Sequence, residues 1–269
     1  MIDSTRNPCG SPQFSVSIIL IHRPQENPQP ATSPPSMKIS LRPSAARGHA
    51  NHGWLDSFHT FSFAGYYDPA HMGFRSLRVI NQDVIAPGAG FPTHPHHDME
   101  IFSYILHGAL EHQDSMGNGR VLKPGHIQLM SAGRGVHHSE FNPSKTEPAS
   151  LLQIWIQPAE RGLPPSYAEW HPDPAQEHES KVLVISPDGR HGSATIHQDA
   201  NIHRIRLAAG QSVSHEATRG RGLWFQLING HITAHGHHLS PGDALSTKDE
   251  GTLTLTAEES AEGLLFDLK

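Results

Sequence analysis

Two short segments carry residues able to bind a metal ion. The first, FPTHPHHDME over residues 91–100, places His94 and His96 two apart. The second, VHHSEFN over residues 136–142, does the same with His138 and Glu140. Side chains two apart on a β-strand share a face, so each pair can point at one spot while His97 and His137 turn away. Two such pairs on two strands of a small barrel supply three imidazoles and one carboxylate. That set suits a divalent transition ion with coordination positions left for water, dioxygen or substrate. At neutral pH an unprotonated imidazole and an ionised carboxylate are both available as ligands.

The chain has 23 histidines, so isolated His-x-His pairs are expected by chance. His235 and His237 form one in HITAHGHHLS, beside a glycine, and read as a solvated hairpin tip. The pair at His94 and His96 differs because a His/Glu pair follows it several strands later. Around His215 there is no His-x-His and no following His/Glu pair at strand spacing, so the second half is expected to hold no metal. The histidines are scattered rather than gathered in tracts, which argues against metal storage.

The elements that must position these groups are short strands. SLRVINQDVI, MEIFSYIL, HIQLMSAGRG and SLLQIWIQP are apolar or alternating runs closed by turn residues, and GALEHQDSMGNGRVLKPG reads as strand, hairpin and strand. Residues 158–180 are polar and proline-rich, after which KVLVIS, IHRIRLAAG, GLWFQLING, GTLTLT and GLLFDL restore the rhythm. Strands at this spacing predict an all-β chain of two tandem barrels. The predicted division is a metal-binding barrel over 37–165, a linker over 166–180 and a second barrel over 181–269. Residues 1–36, with their NPQPATSPPS stretch, read either as a disordered extension or as translation assigned to begin ahead of Met37.

Composition narrows the function. A formal net charge of −6 and the lack of Lys/Arg clusters argue against nucleic acid, and no apolar run reaches the roughly 20 residues that cross a bilayer. The single cysteine, Cys9, permits neither an internal disulfide nor a thiolate metal site and fits a reducing, cytoplasmic setting.

The segments RGHANHGWLDSFHTFSFAGYYDPAHMGF, LRVINQDVI, FPTHPHHDMEI, GALEHQDSMGNG, QLMSAGRGVHHSEFNPS and LQIWIQP, covering most of residues 47–158, resemble the pirin family of bicupins. The second half is similar only through KVLVISPDGR, IHQDANIHR and the closing LLFDL. The resemblance implies two cupin (double-stranded β-helix) barrels and one metal ion in the first, with Fe(II) favoured. Its ligands fall on His94, His96, His138 and Glu140, the residues strand parity selects. Several bacterial pirins have quercetin 2,3-dioxygenase activity. The resemblance therefore implies ring-opening oxygenation of a flavonol by dioxygen, with Glu140 as general base. Phe91 and Phe102 are expected as pocket walls, and Glu100 as an alternative ligand or a group behind the ligands. The other reading is a metal-containing regulatory protein acting through a protein partner that the sequence does not identify.

Overall fold

A computed structural model describes residues 37–269, and the expectations for residues 1–36 lie outside the described residues. The strands are β1 (Ser40–Arg42), β2 (Gly48–Asn51), β3 (Leu55–His59), β4 (Leu77–Ile85), β5 (Gly90–His96), β6 (Glu100–His107), β7 (Leu110–Asp114), β8 (Gly119–Leu122), β9 (Ile127–Ser131), β10 (Val136–Phe141), β11 (Ala149–Ile156) and β12 (Ser166–Trp170). After a proline-rich crossing come β13 (Lys181–Ser186), β14 (Ala194–Thr195), β15 (Ala200–Leu207), β16 (Ser212–Ala217), β17 (Gly222–Asn229), β18 (Ile232–Ala234), β19 (His237–Leu239), β20 (Ala244–Thr247), β21 (Gly251–Ala257) and β22 (Ala261–Leu268). No helix among the described residues is long and apolar enough to cross a membrane.

Each half folds into one seven-stranded and one four-stranded sheet. In the first half the orders are β12-β9-β6-β11-β4-β3-β2 and β5-β10-β7-β8. In the second they are β1-β20-β17-β22-β15-β13-β14 and β16-β21-β18-β19. Each pair of sheets encloses a barrel, as the strand rhythm predicts.

The central strands read as nearly unbroken apolar runs because both of their faces are buried. On β6, Ile101 and Ile105 point into the first barrel, whereas Phe102 and Tyr104 point outward into a core shared with the second barrel. β11 divides likewise, with Leu151 inward and Leu152, Ile154 and Ile156 in the shared core. The second barrel contributes Val184, Trp224, Leu264 and Phe266 to that layer. It has its own interior of Leu223, Phe225, Leu253 and Leu265.

Two features depart from the predicted division. Ser166–Trp170, read as linker, is a strand paired antiparallel with β9, and its Trp170 is buried in the shared core. The flanking prolines hide a short alternating segment whose apolar face is needed there. β1 precedes the first barrel in sequence yet pairs with β20 of the second, Ser40 opposite Ser246 and Arg42 opposite Ala244. The His235–Gly236 step is the tip of the β18–β19 hairpin, as its residue types suggest.

Candidate metal centre

β5 and β10 are antiparallel neighbours. His138 lies across from His94 and Val136 from His96, and a bulge between His138 and Glu140 sets Glu140 opposite Phe91. The strands come this close because residue 90 is glycine. A Cβ there would overlap the Glu140 carbonyl oxygen and the Phe141 Cα. On its other edge β10 pairs with β7, with Asp114 opposite His138 and His112 opposite Glu140.

The ligand atoms of His94, His96 and His138 lie within 4.8 Å of one another, and their ring centroids are 4.5–4.9 Å apart. His94 Nδ1 donates to the Pro92 carbonyl at 2.7 Å, which leaves Nε2 with its lone pair. That Nε2 is 3.0 Å from His138 Nε2. Two nitrogens bound at about 2.1 Å and at right angles to one ion sit roughly 3 Å apart, so the spacing fits a shared cation. His138 Nδ1 is buried without a partner.

Glu140 is 1% exposed and forms a second group with His138 and His112, again with ligand atoms within 4.8 Å. Its Oε1 accepts from Ser103 Oγ at 3.1 Å and its Oε2 from Gln153 Nε2 at 2.7 Å. His138 is thus common to two groups, one with His94 and His96 and one with His112 and Glu140, the carboxylate lying on the buried side.

Burial is the main electrostatic influence. It pushes His138 down to about 2 and His96 to about 4, with neighbouring imidazoles adding to both shifts. Both rings are therefore neutral at physiological pH and can donate a lone pair. Burial raises Glu140 above the usual carboxylate range, opposed by His112, the Ser103 hydroxyl, His94 and the Gln153 amide. Asp83 is pushed up to about 7 by burial, with Glu140 adding to the rise and Ser57 opposing it. Neutral imidazoles whose nitrogens converge, with a carboxylate beside them, are what a divalent cation needs, so the residues present fit the group.

Three further predictions meet the structure differently. Phe91 lines the cavity beside the histidines and packs edge-on against Trp54 at 5.2 Å. Phe102 does not line it. It is fully buried in the shared core, facing Phe266 at 6.4 Å, because even-numbered residues of β6 point out of the barrel. Glu100 has the same parity and is neither ligand nor support. It accepts from Ser131 Oγ at 2.6 Å and from the His197 backbone N–H at 3.3 Å, on the side facing the second barrel.

His112 and Asp114 were not among the predicted residues. His112 is fully buried, with Nε2 3.3 Å from Asp114 Oδ2 and its ring centroid 5.3 Å from that of His138. Asp114 also accepts from the Met116 and Asn118 backbone N–H groups, closing the β7–β8 hairpin. The signal was another two-apart pair, His-x-Asp, immediately before a hairpin turn.

The histidines open onto a cavity of about 530 Å³. Its apolar wall includes Leu55, Phe63, Phe91 and Trp155. Trp155 stands edge-on to both His96 at 5.0 Å and Phe63 at 5.5 Å. The opposite lining is polar, from β3 and β4: Ser57, His59, Asn81 and Asp83.

Paired barrels, with a His/Glu cluster beside an aromatic-walled cavity in the first, define a two-domain cupin protein. The family model described as Pirin matches residues 40–156, and one described as Quercetinase C-terminal cupin domain matches residues 183–268. The chain is 51% identical over 230 residues to a quercetin 2,3-dioxygenase of Escherichia coli (strain K12), covering 86% of this chain and 98% of that one. The crystal structure of YhhW from Escherichia coli superposes with a TM-score of 0.83 at 50% identity, covering 86% of this chain and 98% of that one. The structure titled as the bacterial pirin YhhW of Escherichia coli in complex with nickel(II) gives 0.82 at 49% identity, covering 86% and 99%. The chain belongs to the pirin family.

Proposed function

We propose that the protein is a metal-dependent dioxygenase that opens the heterocyclic ring of flavonols such as quercetin, consuming dioxygen and releasing carbon monoxide. The observation that carries this reading is the His94, His96 and His138 cluster, two members of which line a cavity large enough for a three-ring aromatic. The name of the 51%-identical relative, a quercetin 2,3-dioxygenase, supports it.

An ion held by His94, His96, His138 and Glu140, for which we favour Fe(II), would supply the Lewis acidity that makes the 3-hydroxyl of a flavonol easier to deprotonate. The protein's own groups do the rest. Phe63, Phe91 and Trp155 present apolar surfaces to the flat ring system and exclude water from it. Glu140 receives the hydroxyl proton, its raised proton affinity bringing it nearer to the phenol it serves. Gln153 and Ser103 fix its two oxygens, which holds the carboxylate in place beside His138. The lone cysteine accords with a cytoplasmic location.

The test is direct. Metal-stripped protein is loaded anaerobically with Fe(II), mixed with quercetin and exposed to air while the flavonol absorbance is followed. A metal-dependent loss of the band is expected, and no loss with any divalent metal refutes the activity. His96→Ala should abolish turnover and tight metal binding together. Stoichiometric metal retained by that variant would remove His96 from the ligand set.

A further inference from the structure

We infer that Ser57, His59, Asn81 and Asp83 form a hydrogen-bonding site for a second hydroxyl of the aromatic substrate, so that the pocket selects polyhydroxylated ring systems. This rests on the flavonol reading for the identity of the ring, but not for the chemistry of the wall.

The four residues sit on adjacent antiparallel strands, with Ser57 directly opposite Asp83 and His59 opposite Asn81. By strand alternation all four share one face, and all four line the cavity that His94 and His96 also line. Each is at most 4% exposed. Burying four polar side chains in a barrel interior is unfavourable unless hydrogen bonds replace the lost water.

Their mutual bonds satisfy only part of that demand. Ser57 Oγ–H donates to Asp83 Oδ1. His59 Nδ1 lies 2.9 Å from Asn81 Oδ1, and since an amide oxygen only accepts, Nδ1 carries the proton. His59 Nε2 is left as an acceptor, and the Asn81 Nδ2 donors and Asp83 Oδ2 have no hydrogen-bond partner among the described residues either. A group that completes this wall must therefore both donate and accept hydrogen bonds. A phenolic hydroxyl does so and is carried by the same flat rings that suit Trp155, Phe63 and Phe91. An aromatic carboxylate does not, and the cavity lining contains neither Lys nor Arg to receive one.

A pocket built to hydrogen-bond a hydroxyl rejects the analogue lacking it, because its own buried donors and acceptors are then left unpaired. The experiment compares quercetin with 3-hydroxyflavone, which keeps the hydroxyl that faces the histidines and lacks the others. Dissociation constants are read from quenching of protein fluorescence in the metal-loaded protein, without oxygen, and kcat/KM is measured separately in air. The parent protein should bind quercetin at least about tenfold more tightly. His59→Phe and Asp83→Asn, each checked for intact fold by circular dichroism and for unchanged metal content, should bring the ratio within about threefold of unity. The loss should fall on the dissociation constant and KM rather than on kcat. Equal affinities in the parent, or a ratio that neither variant changes, overturn the site. Because the binding ratio needs no turnover, a preserved ratio without oxygenation refutes only the reaction. Oxygenation with an indifferent ratio refutes only the hydroxyl site.

Discussion

Asp83→Asn is expected to stabilise the metal-free protein, and to do so more at high pH than at low. Asp83 is 1% exposed, and burial drives its carboxyl from 3.8 to about 7. The folded state thus holds a proton that the unfolded chain releases. Folding takes up that proton at pH values between these two figures, so stability falls as pH rises through the window and the full penalty stands above it. At about 1.4 kcal/mol for each tenfold change in proton affinity, the penalty approaches about 4 kcal/mol at pH 8 and is roughly 1.5 kcal/mol at pH 5. Asparagine keeps an oxygen to accept from Ser57 and carries no charge at either pH. Urea melts of both proteins in the presence of chelator should show the variant ahead at both pH values, the gap widening by about 2 kcal/mol from pH 5 to pH 8. Relaxation around the carboxylate reduces the size but not the sign. A gap that is flat with pH, or one that narrows, refutes burial of Asp83 as the cause.

Three further substitutions test placements described above. Phe102→Ala should cost about 3–5 kcal/mol by opening a hole in the shared core while leaving metal stoichiometry intact, measured by thermal melts and metal analysis. Gly90→Ala should push β5 off β10 and weaken metal binding at least about tenfold in a chelator competition, since a small change in ligand placement is felt strongly at a metal. Glu100→Gln should lower stability by about 1–3 kcal/mol through its Ser131 and His197 contacts and leave metal affinity unchanged, and a loss of metal would return Glu100 to the site.

The sequence disclosed which side chains share a strand face, but not what that face looks at. Parity groups His94 with His96 and His138 with Glu140, and each pair is legible because it brings its meaning in its own residue types. It does not tell which way Phe102 and Glu100 face. β6 is apolar on both sides, one toward the barrel interior and one toward the second barrel, and a period of two cannot tell them apart. The polar residues of β3 and β4 pose the opposite difficulty. Ser57, His59, Asn81 and Asp83 have the composition of a solvated strand face, yet they line an internal cavity. Only the closure of the barrel, a contact between distant segments, shows where they point. The strand at Ser166–Trp170 was hidden because its flanking prolines mark chain breaks without revealing that the five residues between them pair with β9.

The pairing of Ser40–Arg42 with β20 ties the two halves by backbone hydrogen bonds as well as by packing. A protein cut between the barrels would take this edge strand away with the wrong half. The second barrel on its own would expose one backbone edge of Ala244–Ser246, three residues buried in the intact protein. A bare edge of that kind recruits the nearest available strand, so the severed fragment is a candidate for self-association, and adding a Ser40–Arg42 peptide in trans should quench it.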